Sequence, residues 1–238
     1  MINLMKIFKN HFNTKEISDD KIRKFAEVHL ERLSANNGTA QFTTMITNTT
    51  NAYVAYFGAI TNEKTKYAIQ QGLTIAMNNI VENFKKFVSK KAGVIADVFD
   101  KDTPVYQEFF PSGLSEYSNA TLLTVETLMT TFAAAVERHS AELGATMQSD
   151  AENFLTDYKA ARSAQLEKIG EVKGQKVVTS TTRDVIENEL MKNVYLIGSM
   201  YVGNIEQCMA FFDQSIIRPN DTVDEEEEPP TDPTPPTE

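Results

Sequence analysis

Apolar residues recur along this chain at alternating steps of four and three. Phe42, Ile46, Thr49, Tyr53, Tyr56 and Ile60 form one such row, the spacing that puts side chains on one face of an α-helix. Ile69, Leu73, Ala76, Ile80, Phe84 and Phe87 form a second. A third runs Val125, Leu128, Phe132, Val136, His139, Leu143 and continues through Met147, Ala151, Phe154, Tyr158 and Ala161. The longest is Ile186, Leu190, Val194, Ile197, Tyr201, Ile205, Cys208, Phe212, Ile216. Period-two alternation is nowhere sustained, so the pattern predicts an all-α chain. Proline usage agrees. Only Pro104 and Pro111 precede Pro219, and proline disrupts a helix interior by removing a ladder hydrogen bond, so residues 1–103 and 112–218 are open to long helices.

Capping signals divide those stretches. Ser18 followed by Asp19 and Asp20 predicts an N-cap with acids in the first turn, opening a helix that runs to about Leu33 and stops in the loop 34–38. Between 40 and about 100 the expectation is two helices meeting near Thr61-Asn62, residue types that cap helices better than they continue them. Ser118 is expected to cap a helix ending near Gly144. The next helix covers Ala145 to about Ile169 and is closed by Gly170 and Gly174. The β-branched stretch Val177 to Thr182 then leads into a final helix from about Asp184 to Ile216, ~50 Å long at ~1.5 Å per residue. Gly198 and Gly203 in that helix would let a neighbour approach closely. Helices of this length predict an elongated antiparallel bundle of five or six main helices over residues 1–218. From 219 to 238 the composition changes, with six of the eight prolines, eight of the 33 acids and no Lys or Arg after Arg218. Such a segment cannot bury apolar surface and is predicted to be a disordered, acidic, Pro-rich tail.

Charge and composition narrow the function classes. Most of the net charge of −10 belongs to the tail, and the remainder sets 25 acids against 23 bases. That balance excludes a basic nucleic-acid-binding chain, and 41% hydrophobic residues exclude global disorder. Lys85-Lys86 and Lys90-Lys91 read as the polar face of an amphipathic helix. A single cysteine, Cys208, cannot make an intramolecular disulfide, and on an apolar row it is expected to be a small buried hydrophobe. The most apolar window, Asn193 to Phe212, carries Asn204, Glu206 and Gln207, so no membrane span is expected. The opening MINLMKIFKNHF, interrupted by Lys6 and Lys9, does not read as a secretory signal. A cytoplasmic location is the resulting expectation.

Candidate chemistry is sparse. A di-iron helical bundle needs Glu-x-x-His on two helices, and none of His11, His29 and His139 has Glu three residues before it. His139 is expected to pack at the seam or to pair with Glu142. There is no G-x-S-x-G elbow, no phosphate-cradling glycine loop and no G-x-G-x-x-G. No catalytic residue, metal ligand, cofactor or small-molecule substrate is therefore assigned. Met1, Leu4, Met5, Phe8 and Phe12 share one helical face, which either packs on the bundle or docks on a membrane surface or partner.

The most distinctive passage is the loop 101–117 between the two helical halves. Tyr106, Phe109 and Phe110 lie between Pro104 and Pro111. They are expected to fold back over the bundle end as a cap, with Pro111-Ser112-Gly113 forming a turn. The alternative is that Tyr106, Phe109, Phe110 and Pro111 form an exposed anchor for a protein partner. The arrangement D-x-P-x-Y-x-x-F-F-P-x-G, Asp102 to Gly113, resembles one found in uncharacterised all-helical proteins of Bacteroidota. The likeness covers those residues and the general layout. It implies an all-helical fold in a bacterial or phage setting and carries no catalytic residue.

The chain is accordingly expected to be a non-catalytic helical interaction or scaffold protein, with a protein partner or self-association. One alternative is a membrane-active protein resembling α-helical pore-forming toxins, with Ala40 to Ile60 or Tyr195 to Phe212 as its hidden apolar segment. The other is a metal-binding helical-bundle enzyme. The tail, with P-x-x-P matches at Pro230 to Pro233 and Pro233 to Pro236, reads as a solubilising spacer or a contact for a basic surface.

Overall fold

The computed structural model describes residues 4–218, with side chains from Lys6 onward; the expected tail at 219–238 lies outside the described residues. Every element among them is helical: α1 (Leu4–Phe8), α2 (Asp19–Ala35), α3 (Thr43–Phe99), α4 (Pro104–Phe109), α5 (Ser115–Ser118), α6 (Val125–Arg138), α7 (Ser140–Leu143), α8 (Ala145–Met200), α9 (Ile205–Met209) and a 3-10 turn (Gln214–Ile216). The chain is all-α over this range. Four of these helices exceed ten residues, where five or six had been expected.

The shortfall has two causes. The expected pair over 40–100 is the single helix α3. Thr61 and Asn62 are exposed, and the Thr65 hydroxyl donates to the Thr61 carbonyl at 2.9 Å, so polar side chains here bond within the helix rather than end it. Likewise α8 runs unbroken through Gly170 and Gly174. Neither glycine has positive φ; a helical glycine costs about 1 kcal/mol relative to alanine, which packing elsewhere on the helix outweighs. Thr182 donates to the Thr179 carbonyl at 3.0 Å, so the β-branched stretch also continues the helix.

Two other boundaries move. Ser118 ends α5 instead of capping the next helix, and α6 starts after a turn in which the Thr121 N–H donates to Thr124 Oγ1 at 3.0 Å. The last long helix stops at Met200, not Ile216. Gly203, at φ 80, turns the chain there, and a side chain at Gly198 or Gly203 would meet no atom within 4 Å, so neither marks a close helix approach. Cys208 consequently sits on α9, half-buried, with its Sγ 3.9 Å from the Ile197 carbonyl. Ser18 does cap α2, its Oγ accepting from the Lys21 N–H at 3.3 Å.

Contacts group the described residues into two compact units, 4–59 with 179–218, and 60–178. The division between Ala59 and Ile60 lies beside the Thr61-Asn62 signal, which marks a change of packing rather than of helix. In the first unit, Ile22, Phe25 and Leu33 of α2 are buried with Phe42, Tyr56, Ile186, Leu190 and Ile197. Hydrogen bonds join Asn193 to Thr49 and Thr179 to Ala59. Numbers that rise on α3 fall on α8, the order of antiparallel neighbours.

The second unit holds the aromatic core. Phe84 sits 6.1 Å from both Tyr117 and Phe132, and Phe109 lies 6.0 Å from Phe132. On α3 the buried row is Met77, Val81, Phe84, Val88, Ala92, Ile95, displaced from the expected row, whose Ile69 and Ala76 are exposed. Thr103 caps α4 with Pro104 in its first turn, so the expected loop is partly helical. The Gly113 N–H then returns to the Phe110 carbonyl at 2.9 Å with Gly113 at φ 82, closing the turn anticipated at Pro111-Ser112-Gly113 where glycine tolerates left-handed backbone.

Candidate functional site

Of the four candidate contact residues, Phe109 and Phe110 are 0% and 1% exposed and belong to the second unit's core. Tyr106 is half-buried, 5.0 Å from the Phe110 ring, and Pro111 is exposed. The aromatic pair thus packs inward as a cap, leaving Pro111 and part of Tyr106 at the surface. His139 pairs with Glu108, Nε2 to Oε2 3.3 Å, not with Glu142. Hydrogen bonds from His139 and Arg138 hold the Glu108 carboxyl below the usual carboxylate range. Among the described residues no group of three or more His, Cys, Asp or Glu is placed to hold a metal.

The convergence of titratable groups lies in the first unit, at residues the pattern of apolar rows did not single out. The Ser18 cap brings Asp19 to the start of α2, and α8 presents Ser180, Arg183, Asp184 and Glu187 on successive turns. Together they line an open cleft of about 730 Å³. Arg183 Nε donates to Glu187 Oε1 at 2.6 Å and its NH2 to the Ile17 carbonyl at 2.6 Å, while NH1 donates to Asp19 Oδ1. Tyr56 Oη donates to the same Asp19 oxygen at 2.7 Å. Burial raises the Glu187 carboxyl above its ordinary pKa against the pull of Arg183. Burial and then the Asp19 hydrogen bond push the Tyr56 phenol up. Burial works against the Arg183 charge, but its bonds to Glu187 and Asp19 outweigh that and hold its pKa above the usual value.

Chemically this is a clamp. The guanidinium faces two carboxylates and a carbonyl, so its donors are directed at the protein and not at an incoming anion. Its effect is to tie Ile17 and Asp19, ahead of and at the start of α2, to α8.

A second polar group lies deeper in the same unit. His29, Thr49 and Asn193 are all 0% exposed. His29 Nδ1 lies 2.9 Å from the Phe211 carbonyl, which can only accept, so Nδ1 carries the proton. Nε2 is then the acceptor for Asn193 Nδ2 at 3.1 Å, and the same amide donates to Thr49 Oγ1 at 2.7 Å. Phe212 stacks on the imidazole at 4.6 Å. Burial lowers the His29 pKa from 6.5 to about 4. Thr49 stood in the apolar row of α3; a polar residue on such a row was the available signal for this network.

No family model, no curated protein and no solved structure matches this chain.

The first unit also carries an apolar surface. Phe8 is 70% exposed, Val202 83% and Ile205 77%, with Ile7, Tyr195 and Met200 exposed beside them in the sequence. Tyr195 Oη donates to the Ile7 carbonyl at 2.9 Å and its ring lies 6.4 Å from Phe8, joining α1 to the end of α8. Asn193 through Ile205 contains no charged residue. The side chains of Met1, Leu4 and Met5, expected on one face with Phe8 and Phe12, lie outside those described. Phe12 is buried after α1 has ended, so it does not continue that face.

Proposed function

We propose that this protein is a non-catalytic interaction scaffold, an antiparallel helical bundle that holds a protein partner or a second copy of itself against an apolar surface of its first unit. The observation that carries this reading is the exposed apolar group of Ile7, Phe8 and Tyr195, joined through the Tyr195 contacts, together with Met200, Val202 and Ile205 exposed farther along the same uncharged stretch. Exposed apolar groups larger than scattered single residues mark interaction sites, and aromatic side chains such as Phe8 and Tyr195 dominate interface energetics. The charged cleft supports it as well, since Arg183, Asp19 and Glu187 satisfy one another.

Sedimentation velocity over a hundredfold range of concentration tests self-association. A copy-to-copy contact raises the mass with concentration, and the pair Val202→Ser with Ile205→Asp abolishes the rise. For a different partner, cross-linking in host extract joins residues 6–9 or 195–205 to it in the wild-type chain and not in the pair variant. A monomer at all concentrations with no cross-link at this surface overturns the reading.

Phe8 is exposed between Lys6 and Lys9, which favours a second reading in which the surface rests on lipid. No helix among the described residues is long and apolar enough to cross a membrane. Flotation with anionic and neutral vesicles separates this reading, because a protein partner leaves the chain at the bottom of the gradient.

A further inference from the structure

A partly open pocket of about 210 Å³ lies in the first unit, and its lining shares no residue with the charged cleft or with the exposed apolar group. Three phenylalanines form part of its wall. Phe12 and Phe25 lie 5.2 Å apart, and Phe25 and Phe212 stack at 6.2 Å with planes 10° apart. Met191 and Val194 of α8 line it as well, and Met209 and Ile217 bring the segment after α8 over it. The rings pack on one another, so that wall is preformed.

Size and lining define the occupant. Folded interiors pack at the density of organic crystals, with few voids larger than a water molecule. An apolar cavity of about 150 Å³ stays dry and takes up benzene or xenon, so this one suits roughly six to ten heavy atoms. None of the lining residues is Asp, Glu, Lys or Arg, and an unpaired charge would meet a large desolvation cost there. The two polar lining residues, His11 and Gln214, are both exposed, which places them at the mouth. A few polar groups at the edge of an apolar pocket orient a ligand.

We propose that this cavity binds a small neutral aromatic or branched hydrocarbon group carrying one hydrogen-bonding function, its apolar part against Phe12, Phe25 and Phe212 and its polar end at His11 and Gln214.

Indole is a suitable probe, because the chain contains no tryptophan and indole emission is read without background. The expected result is saturable one-to-one binding with a Kd below about 1 mM, a blue-shifted emission and a raised Tm. Val194→Phe, which fills the cavity, weakens binding at least tenfold while the circular dichroism stays native. Should that variant not fold, Met209→Phe at the partly exposed wall replaces it with the same expected loss. Gln214→Ala weakens indole several-fold and leaves toluene unchanged. Absence of saturation to 1 mM, or the same Kd in a folded cavity-filling variant, overturns the proposal; equal losses of indole and toluene in Gln214→Ala overturn its polar half.

Discussion

His29 should make the stability of the first unit depend on pH in a window that an exposed histidine would not produce. Its folded-state pKa lies near 4, against 6.5 for the free side chain, chiefly because burial disfavours the charged imidazole. On acidification the unfolded chain takes up this proton first. Stability is therefore complete above about pH 7, drains as pH falls from 6.5 towards 4, and loses nothing more from this group below that. A gap of about 2.5 pH units is worth about 3 kcal/mol in full, of which about 2 kcal/mol is lost between pH 7 and pH 5. Protonation also changes the hydrogen bonding, since a charged imidazole presents a donor at Nε2 where Asn193 Nδ2 already donates at 3.1 Å. The assay is urea unfolding at pH 7, 6 and 5 for the wild-type chain and for His29→Gln. The carboxylates and the other two histidines are common to both, so the difference in slope isolates His29. The wild type should lose about 2 kcal/mol more than the variant over that range. Parallel slopes, or an NMR titration of His29 centred near 6.5, would refute the reasoning.

Three further outcomes are expected. Phe109→Ala, at a fully buried position in the second unit's core, should cost about 3–5 kcal/mol by chemical denaturation, whereas Pro111→Ala at the surface should stay within about 0.5 kcal/mol; the reverse ranking would place the anchor outside the core. Gly170→Ala and Gly174→Ala, with open space at each Cβ, should each stabilise by about 1 kcal/mol, while Gly144→Ala, at φ 85, should destabilise by about 1–2 kcal/mol. A loss at Gly170 or Gly174 would mean that α8 ends there. Arg183→Met strands the Glu187 carboxylate and should cost about 3 kcal/mol at neutral pH. That cost should shrink as pH falls through the raised Glu187 pKa, because the protonated acid no longer needs a cation; a pH-independent loss would contradict the pairing.

Much of the helical content was legible from spacing alone, because an inward stripe must repeat every three to four residues whatever it packs against. The Ser18 cap was legible for the same local reason. Helix ends in the interior were not. Thr61, Asn62, Gly170 and Gly174 have poor helix propensities, yet a weak local preference of about 1 kcal/mol or less yields when both flanking segments are buried on one face. Gly203 shows the converse: the apolar row continued past it to Ile216, but the backbone turns at its positive φ, a conformation that spacing does not encode. The clamp at Arg183 was illegible for a different reason. Arg183 and Glu187 at i and i+4 look like any exposed helical pair, and only the approach of Asp19 and Ile17, distant in sequence, makes them a site.

The polar residues buried along α3 and α8 answer a problem that the apolar rows create. Rows stepping by four and three are nearly self-similar after seven residues, so two antiparallel helices that share only such rows can slide by two turns at small cost. Buried hydrogen bonds lift that degeneracy. In the first unit, Asn193 donates to Thr49 at 2.7 Å. In the second, Gln165 donates to Thr74 at 2.8 Å and Lys66 to Gln175 at 3.2 Å. A slip of seven residues would set Asn193, Gln165 and Gln175 against Phe42, Tyr67 and Ala59, or against Tyr56, Val81 and Leu73, so that two of the three amides lose a polar partner either way, at about 1–3 kcal/mol apiece. The residues that interrupt the hydrophobic pattern are therefore the ones that select its register, and they do so separately in each unit.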